Sequence, residues 1–333
     1  MPKKHTLSFG CMFSLYQNTK VEHMKEKTFK NFNQLIDLLA SRGMDVSGKS
    51  KRNYALKVLE KHGYYNIING YNKLFLLDEG KSEQFKKGTT IAEINALYQF
   101  DRVLRNIFFR YILEVEANVK NLVAHYFSEA HGYKNYLIYT NFNTELRDAE
   151  SKITNVIAEI QYQTSNRSGD PSIGHYLKNH GYVPLWVLNN ILTLGTIAKF
   201  YSVMMPAERQ KISKHFALLE DELENSLFYI SAVRNYCAHS NRVYCFQTRS
   251  YLMNTSFHES LQIPKGDDGE YLYGKRDLFA CLIALKKLLS KNDFRRMKRE
   301  LATGIQTLNR KLQILTEAEI RHEMGFPANW KDL

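Results

Sequence analysis

The chain has 333 residues, of which 44% are hydrophobic, and 46 lysines and arginines stand against 34 acidic residues for a net charge of +12. A chain of that length buries a core without staples, and six prolines with little low-complexity sequence exclude a disordered or fibrous protein. No run approaches the ~20 apolar residues of a membrane span, and the four cysteines (Cys11, Cys237, Cys245, Cys281) form neither a C-x-x-C pair nor a secretory framework, so a reducing cytoplasm is the expected location and a polyanion a fitting partner.

The first residues, MPKKHTLSFGCMFSLYQ, are not read as a secretory signal, because polar residues interrupt the apolar run and no small-residue cleavage site follows. Residues 43–50, GMDVSGKS, then fit the phosphate-loop consensus G-x-x-x-x-G-K-S. That consensus cradles phosphate only where a strand feeds the loop, and here Phe32, Leu35, Ile36 and Leu39 lie at helical spacing before it. Gly43 is expected to end one helix and Ser47 or Ser50 to cap the next, whose apolar stripe is Ala55, Val58 and Leu59.

Thr90 and Glu93 have capping-box spacing, and Ile94, Leu97, Leu104, Phe108, Tyr111, Val115, Val119 and Leu122 continue at 3.6-type spacing until Gly132. One helix of about 40 residues, or two in near register, is predicted, spanning up to ~60 Å. A further amphipathic stretch runs over 144–163, and SNRSGDPSIG is the clearest loop. Pro184 opens VPLWVLNNILTLGTIAKFYSVM, apolar nearly all round and expected to be the central core helix. EDELENSLFYISAVRNYCAH is helical again, and between 244 and 273 Asp268 and Gly269 mark a turn for a small hairpin. Thr316 and Glu319 form a second capping box, and Gly325 with Pro327 stop the last helix. The expected architecture is an all-α bundle: an N-terminal helical region (1–88), a helical domain (89–291) with the hairpin within 244–273, and basic C-terminal helices (292–333).

Near the C-terminus Lys287, Lys291, Arg295 and Arg299 recur every four residues, which on one helix makes a stripe that either tracks phosphates or is a solvated face. The stretch VRNYCAHSNRVY gathers Arg234, Asn235, His239 and Arg242 at the end of a helical segment. Asn235 and His239 are one turn apart, and Arg242 follows His239 by three and is expected on the same side. A histidine near its ordinary pKa can exchange a proton with a ribose 2′-OH or a leaving 5′-oxygen, while guanidinium groups stabilise charge on the phosphate. That is RNA cleavage without a metal or cofactor; the bland alternative is a basic helix end bonding carbonyls or solvent. Arg and His at such spacing are common, and Arg209 with His215 is a second example, expected to be a solvated face.

RNYCAHSNR resembles the Arg-Asn-x-x-Ala-His-x-x-Arg signature of the AbiD/AbiF-type abortive-infection proteins, placed among the HEPN ribonucleases and thought to be relatives of the RNA-guided Cas13 effectors. KTFKNFNQLIDLLASRGMDV, HGYYNIINGYNKLF, YQFDRVLRNIFFRYILEVEANVK, VPLWVLNNILTLGTIAKFY and MGFPANW are similar to further segments of that family, in order, from about residue 27 to the end. The resemblance implies an all-helical fold, metal-independent cleavage leaving 2′,3′-cyclic phosphate, and a part in antiphage defence. It makes Arg234 and His239 the catalytic pair, Asn235 their support and Arg242 a phosphate contact. It also implies that some of Asp101, Arg102, Arg105 and Glu116 support the site, although intrahelical ion pairs would use the same residues. Tyr64, Tyr65 and Tyr71 either stack on bases or belong to the core. Since such ribonucleases pair two motifs and this chain holds one good copy, a homodimer is expected, with RNA as substrate and a small noncoding RNA as an associated partner. The rival is a non-catalytic protein that holds a structured RNA.

Overall fold

The computed structural model describes residues 28–78 and 83–333; the reading of the first residues and Cys11 lie outside them. The described chain is helical throughout: α1 (Phe32–Ser41), α2 (Gly48–His62), α3 (Ile91–His131), α4 (Ala149–Asn166), α5 (Pro171–His180), α6 (Leu185–Leu188), α7 (Leu194–Val203), α8 (Pro206–Lys214), α9 (Glu220–Ala238), α10 (Ser256–Ser260), α11 (Leu278–Leu288), α12 (Lys291–Asn309) and α13 (Glu317–Glu323). Among the described residues β structure amounts to isolated bridges, so the fold is an all-α bundle.

The phosphate-loop consensus is a turn between helices. Gly43 ends α1 with φ +87°, and Ser47 stands at the N-cap of α2. The Asp45 carboxylate accepts from the Ser47 N–H (3.0 Å) and hydroxyl (2.6 Å) and pairs with Lys51, which lowers its pKa, so the chain's own anion occupies the turn.

Helix α3, 41 residues long, is the spine of the molecule. All eight apolar positions that define its periodicity are buried, and α2, α6, α7, α8, α9, α11 and α12 pack around it. Thr90 caps it by accepting from the Glu93 N–H (3.4 Å), but Glu93 does not complete a capping box. Its buried carboxylate turns the other way and accepts from the backbone N–H groups of Gln313 (2.9 Å), Ile314 (2.8 Å) and Leu315 (3.1 Å), a stronger use for an anion shut away from water. The Thr316 and Glu319 box does form.

Residues 184–203 are not one central helix. The chain makes the short α6, leaves helical geometry after Leu188 and restarts at α7. Polar groups from elsewhere hold the break open, with Gln163 Oε1 accepting from the Thr193 N–H (3.1 Å) and the Lys120 carbonyl accepting from Asn189 Nδ2 (2.5 Å), and Thr193 Oγ1 caps the restart locally by accepting from the Thr196 N–H (3.2 Å). The central position falls to α3 and to α11, whose residues 278–285 are all buried. The loop 165–174 is shorter than expected, because Asp170 accepts from the Ser172 and Ile173 N–H groups and, with Pro171 next, starts α5. The hairpin within 244–273 reduces to a turn: Gly269 has φ +76°, Lys265 bridges Tyr271, and α10 takes up part of the segment.

Arg209 is no solvated residue either. It is nearly buried and donates to Asp221 (3.0 Å) and Glu224 (2.7 Å) on α9, while His215 bonds the Tyr126 hydroxyl (2.7 Å). The three acidic residues that open α9, Glu220, Asp221 and Glu222, favour the helix N-terminus, and Asp221 among them also holds this cation.

Asp277 caps α11, its carboxylate accepting from the Ala280 and Gly274 N–H groups (2.9 Å each), and Gly325 lies against it with φ +72°. A Cβ at 325 would sit 2.2 Å from the Asp277 Cγ. Gly325→Ala is therefore expected to cost about 2–4 kcal/mol, combining a left-handed backbone with a displaced cap. Gly63→Ala, at φ +74° with nothing within 4 Å, should cost only about 1 kcal/mol. Equal midpoints for the two in urea unfolding would refute this packing argument.

Candidate functional site

Helix α9 carries Leu223, Leu227, Ile230, Val233 and Cys237 into the core, so its last turn sits at the surface on a rigid base. His239 is the C-cap, its N–H donating to the Asn235 carbonyl (3.1 Å), and Ser240 ends the helix with φ +58°. Asn235 and His239, one turn apart, are both exposed. Arg234 is held on the neighbouring side, with its guanidinium 5.7 Å over the Phe109 ring and its Nε 3.5 Å from the Glu116 carboxylate. Glu116 is buried and also pairs with Lys120 (2.7 Å). A half-buried cation is thus fixed by a ring and an anion from α3, beside an exposed imidazole and amide.

The second anchor is Asp101, fully buried on α3. Its Oδ2 accepts from the Tyr71 hydroxyl (2.8 Å) and Arg105 Nη2 (2.9 Å), and its Oδ1 from the Tyr244 N–H (2.7 Å). Burial raises its pKa, while those three donors pull it down. Arg105 also donates through Nε to the Asn241 carbonyl (3.2 Å). Arg105 with Asp101 and Lys120 with Glu116 are i,i+4 pairs within α3, and the same two carboxylates reach across to the segment around the motif. Arg102 is exposed and donates to Gln99 (3.3 Å).

Arg242 does not share a face with His239. The left-handed Ser240 takes the chain off the helix, and Arg242 Nη1 donates to the Gly70 carbonyl (2.7 Å), binding the residues after α2 to those after α9. There it lines a cleft of about 960 Å³ together with Arg102 and Arg105, whereas Arg234, Asn235 and His239 do not. Of the three tyrosines, Tyr71 is core, stacked on Tyr244 (5.7 Å), Tyr64 is half-buried and accepts from Arg42 (2.8 Å), and Tyr65 is 77% exposed.

The basic stripe is broken. Leu289 and Ser290 are extended, α12 starts afresh at Lys291, and Lys287 on α11 is nearly buried in an ion pair with Glu222 (2.9 Å). Lys291, Arg295 and Arg299 remain exposed on α12. Ser290 with Asp293 was the available sign, since Ser290 Oγ accepts from the Asp293 N–H (3.1 Å) as a helix cap. Phe109, Tyr244 and the Gly70 carbonyl carry no sequence mark of their part in the site.

Cys237, within the motif, is buried, and burial pushes its thiol up to about 12, so it is a packing residue. Among the described residues no helix is long and apolar enough to cross a membrane.

The model of the Abi-like protein family matches residues 57–245, more than half of the chain, and the chain belongs to that family. The match takes in α3, the Asp101 cluster and the segment from Arg234 to Arg242, and membership supports a role in abortive-infection defence. No curated protein and no solved structure matches the chain.

Removing the Asp101 carboxylate leaves a tyrosine hydroxyl, a backbone N–H and a guanidinium without their acceptor. Asp101→Ala is expected to lose about 3–5 kcal/mol, and Tyr71→Phe, which removes one donor, about 1 kcal/mol. Chemical unfolding of both variants measures this, and a loss below that of Tyr71→Phe would show that Asp101 is not the anchor.

Proposed function

We propose that the protein is a metal-independent RNA endonuclease of HEPN type, acting in antiphage abortive-infection defence and leaving 2′,3′-cyclic phosphate ends. The observation that carries this is the end of α9: a guanidinium fixed by Glu116 and Phe109 next to an exposed imidazole and amide. In this reading the His239 imidazole takes the proton from a ribose 2′-OH, whose oxygen attacks the adjacent phosphorus. The P–O bond to the 5′-oxygen breaks, and that oxygen takes a proton from the imidazolium so formed or from solvent water, which leaves 2′,3′-cyclic phosphate and a 5′-hydroxyl. Arg234 stabilises the charge on the phosphoryl oxygens, Asn235 supports the imidazole or a phosphate oxygen, and Lys291, Arg295 and Arg299 hold phosphates further along the strand. A two-fold homodimer supplies a second copy of the motif, because an isologous interface sets identical residues face to face.

The test is cleavage of mixed-sequence single-stranded RNA in excess EDTA. Wild type is expected to cut and leave cyclic phosphate, and His239→Ala to be slower by about 10²–10⁴-fold. Arg234→Lys should fall at least ~10-fold, because the planar fork is lost. Equal scission by wild type and His239→Ala would overturn the reading. RNA binding without scission by either would favour the protein that holds a structured noncoding RNA.

Catalysis is expected to depend on dimerisation. Specific activity should fall on dilution in step with the dimer fraction measured by sedimentation, and full activity from a demonstrated monomer would exclude a paired site.

A further inference from the structure

The cleft of about 960 Å³ beside the motif is not accounted for by that reaction. Its walls come from the end of α2 and the π-helical turn Tyr65–Asn69, from α3, and from residues 236–238 and 240–242. Among the described residues four cations line it, Lys61, Arg102, Arg105 and Arg242, and no carboxylate does. Arg105 is engaged by Asp101 and the Asn241 carbonyl, and Arg242 by the Gly70 carbonyl. Lys61 makes no hydrogen bond or ion pair among the described residues, and Arg102 has only the Gln99 amide oxygen and the Tyr98 ring, 5.8 Å away. The charge is therefore left open to a ligand. His62, between the two, is held below its ordinary pKa, first by burial and then by the charges of Lys61 and Arg102.

Charge alone would suit any anion; the rest of the lining is more selective. Tyr65 stands 77% exposed, so the face of its ring is free for a flat ligand to lie against. Asn69 and Asn106, both exposed on the walls, each offer a donor and an acceptor. A flat ring, amide groups and two cations without a carboxylate partner among the described residues are what a nucleotide uses: its base has a π-face and a mixed hydrogen-bonding edge, and its phosphate is an anion. An acidic peptide would meet the cations and the amides through its carboxylates and backbone, but it brings no base to lie against Tyr65.

We propose that this cleft is a nucleotide-binding subsite, separate from the Arg234 and His239 motif, that takes phosphate on Lys61 and Arg102 and a base against Tyr65. The subsite rests on the RNA reading above and extends it, since Arg242 links cleft and motif in one short segment. The bound nucleotide is either a unit of a single-stranded RNA or a free nucleotide, and the chemistry of recognition is the same for both.

The experiment uses the full chain carrying His239→Ala, so that binding is read without cleavage. A short labelled single-stranded RNA and AMP are the probes, each titrated over a range of salt. Adding Lys61→Ala with Arg102→Ala should weaken RNA binding about 10-fold or more and reduce the slope of log K against log salt by roughly 1.4, about 0.7 for each lost phosphate contact. Tyr65→Ala should weaken binding roughly 5-fold or more with the slope unchanged, because stacking is not ionic. All three side chains are at the surface, so melting temperatures should stay at the parent's. AMP that competes with RNA and loses affinity in the same variants identifies a free nucleotide as a ligand; RNA alone responding identifies a strand. Parental affinity for both probes in both variants overturns the proposal. Scission is scored separately with His239 restored: cleft-dependent binding without scission counts against the nuclease alone, and scission with cleft-independent binding counts against the cleft alone.

Discussion

The structure turns on one carboxylate. Asp101 lies out of contact with water and receives a hydroxyl from Tyr71, a guanidinium from Arg105 and a backbone N–H from Tyr244. An anion in that position tolerates few geometries, because each donor lost leaves charge uncompensated in a medium that cannot solvate it. It therefore sets the register of three parts of the chain: the segment after α2, the spine helix and the segment after α9. The end of α9 is clamped between this anchor and the Phe109 and Glu116 contacts to Arg234, which lie further along the same spine.

Glu93 repeats the device near the start of α3. One buried oxygen collects three consecutive backbone N–H groups from the connection between α12 and α13. In both places a long helix provides a fixed acidic side chain, and a distant irregular segment is ordered by giving up its backbone donors to it. Helix packing alone would orient cylinders; these two carboxylates decide where the loops between them lie.

What could be read beforehand follows from where each determinant resides. The apolar repeat of α3, the Gly43 turn and the Thr316 cap are local, and a helix advertises its own period. The break inside 184–203 has its partners on other elements, Gln163 and the Lys120 carbonyl, so an apolar stretch gave no warning of it. The basic stripe failed for a local reason that was visible, the Ser290 cap, and for a distant one that was not, the Glu222 carboxylate. The cluster at 234–242 was conspicuous because its residue types are crowded together. That Arg242 belongs to Gly70, 172 residues away, and His239 to open solvent depends on a single left-handed residue between them.

Cys237 gives that clamped helix end a consequence of its own. With its thiol buried against the spine and held up at about 12, it offers no thiolate to electrophiles while α9 stays seated, although it sits between Arg234 and His239 in the sequence. Cys237 stands in the cleft wall yet is only 4% exposed, so alkylation there is slow while α9 stays seated and quickens with the time the helix end spends unseated. The chain carries, inside its own candidate site, a chemical clock for the integrity of that site.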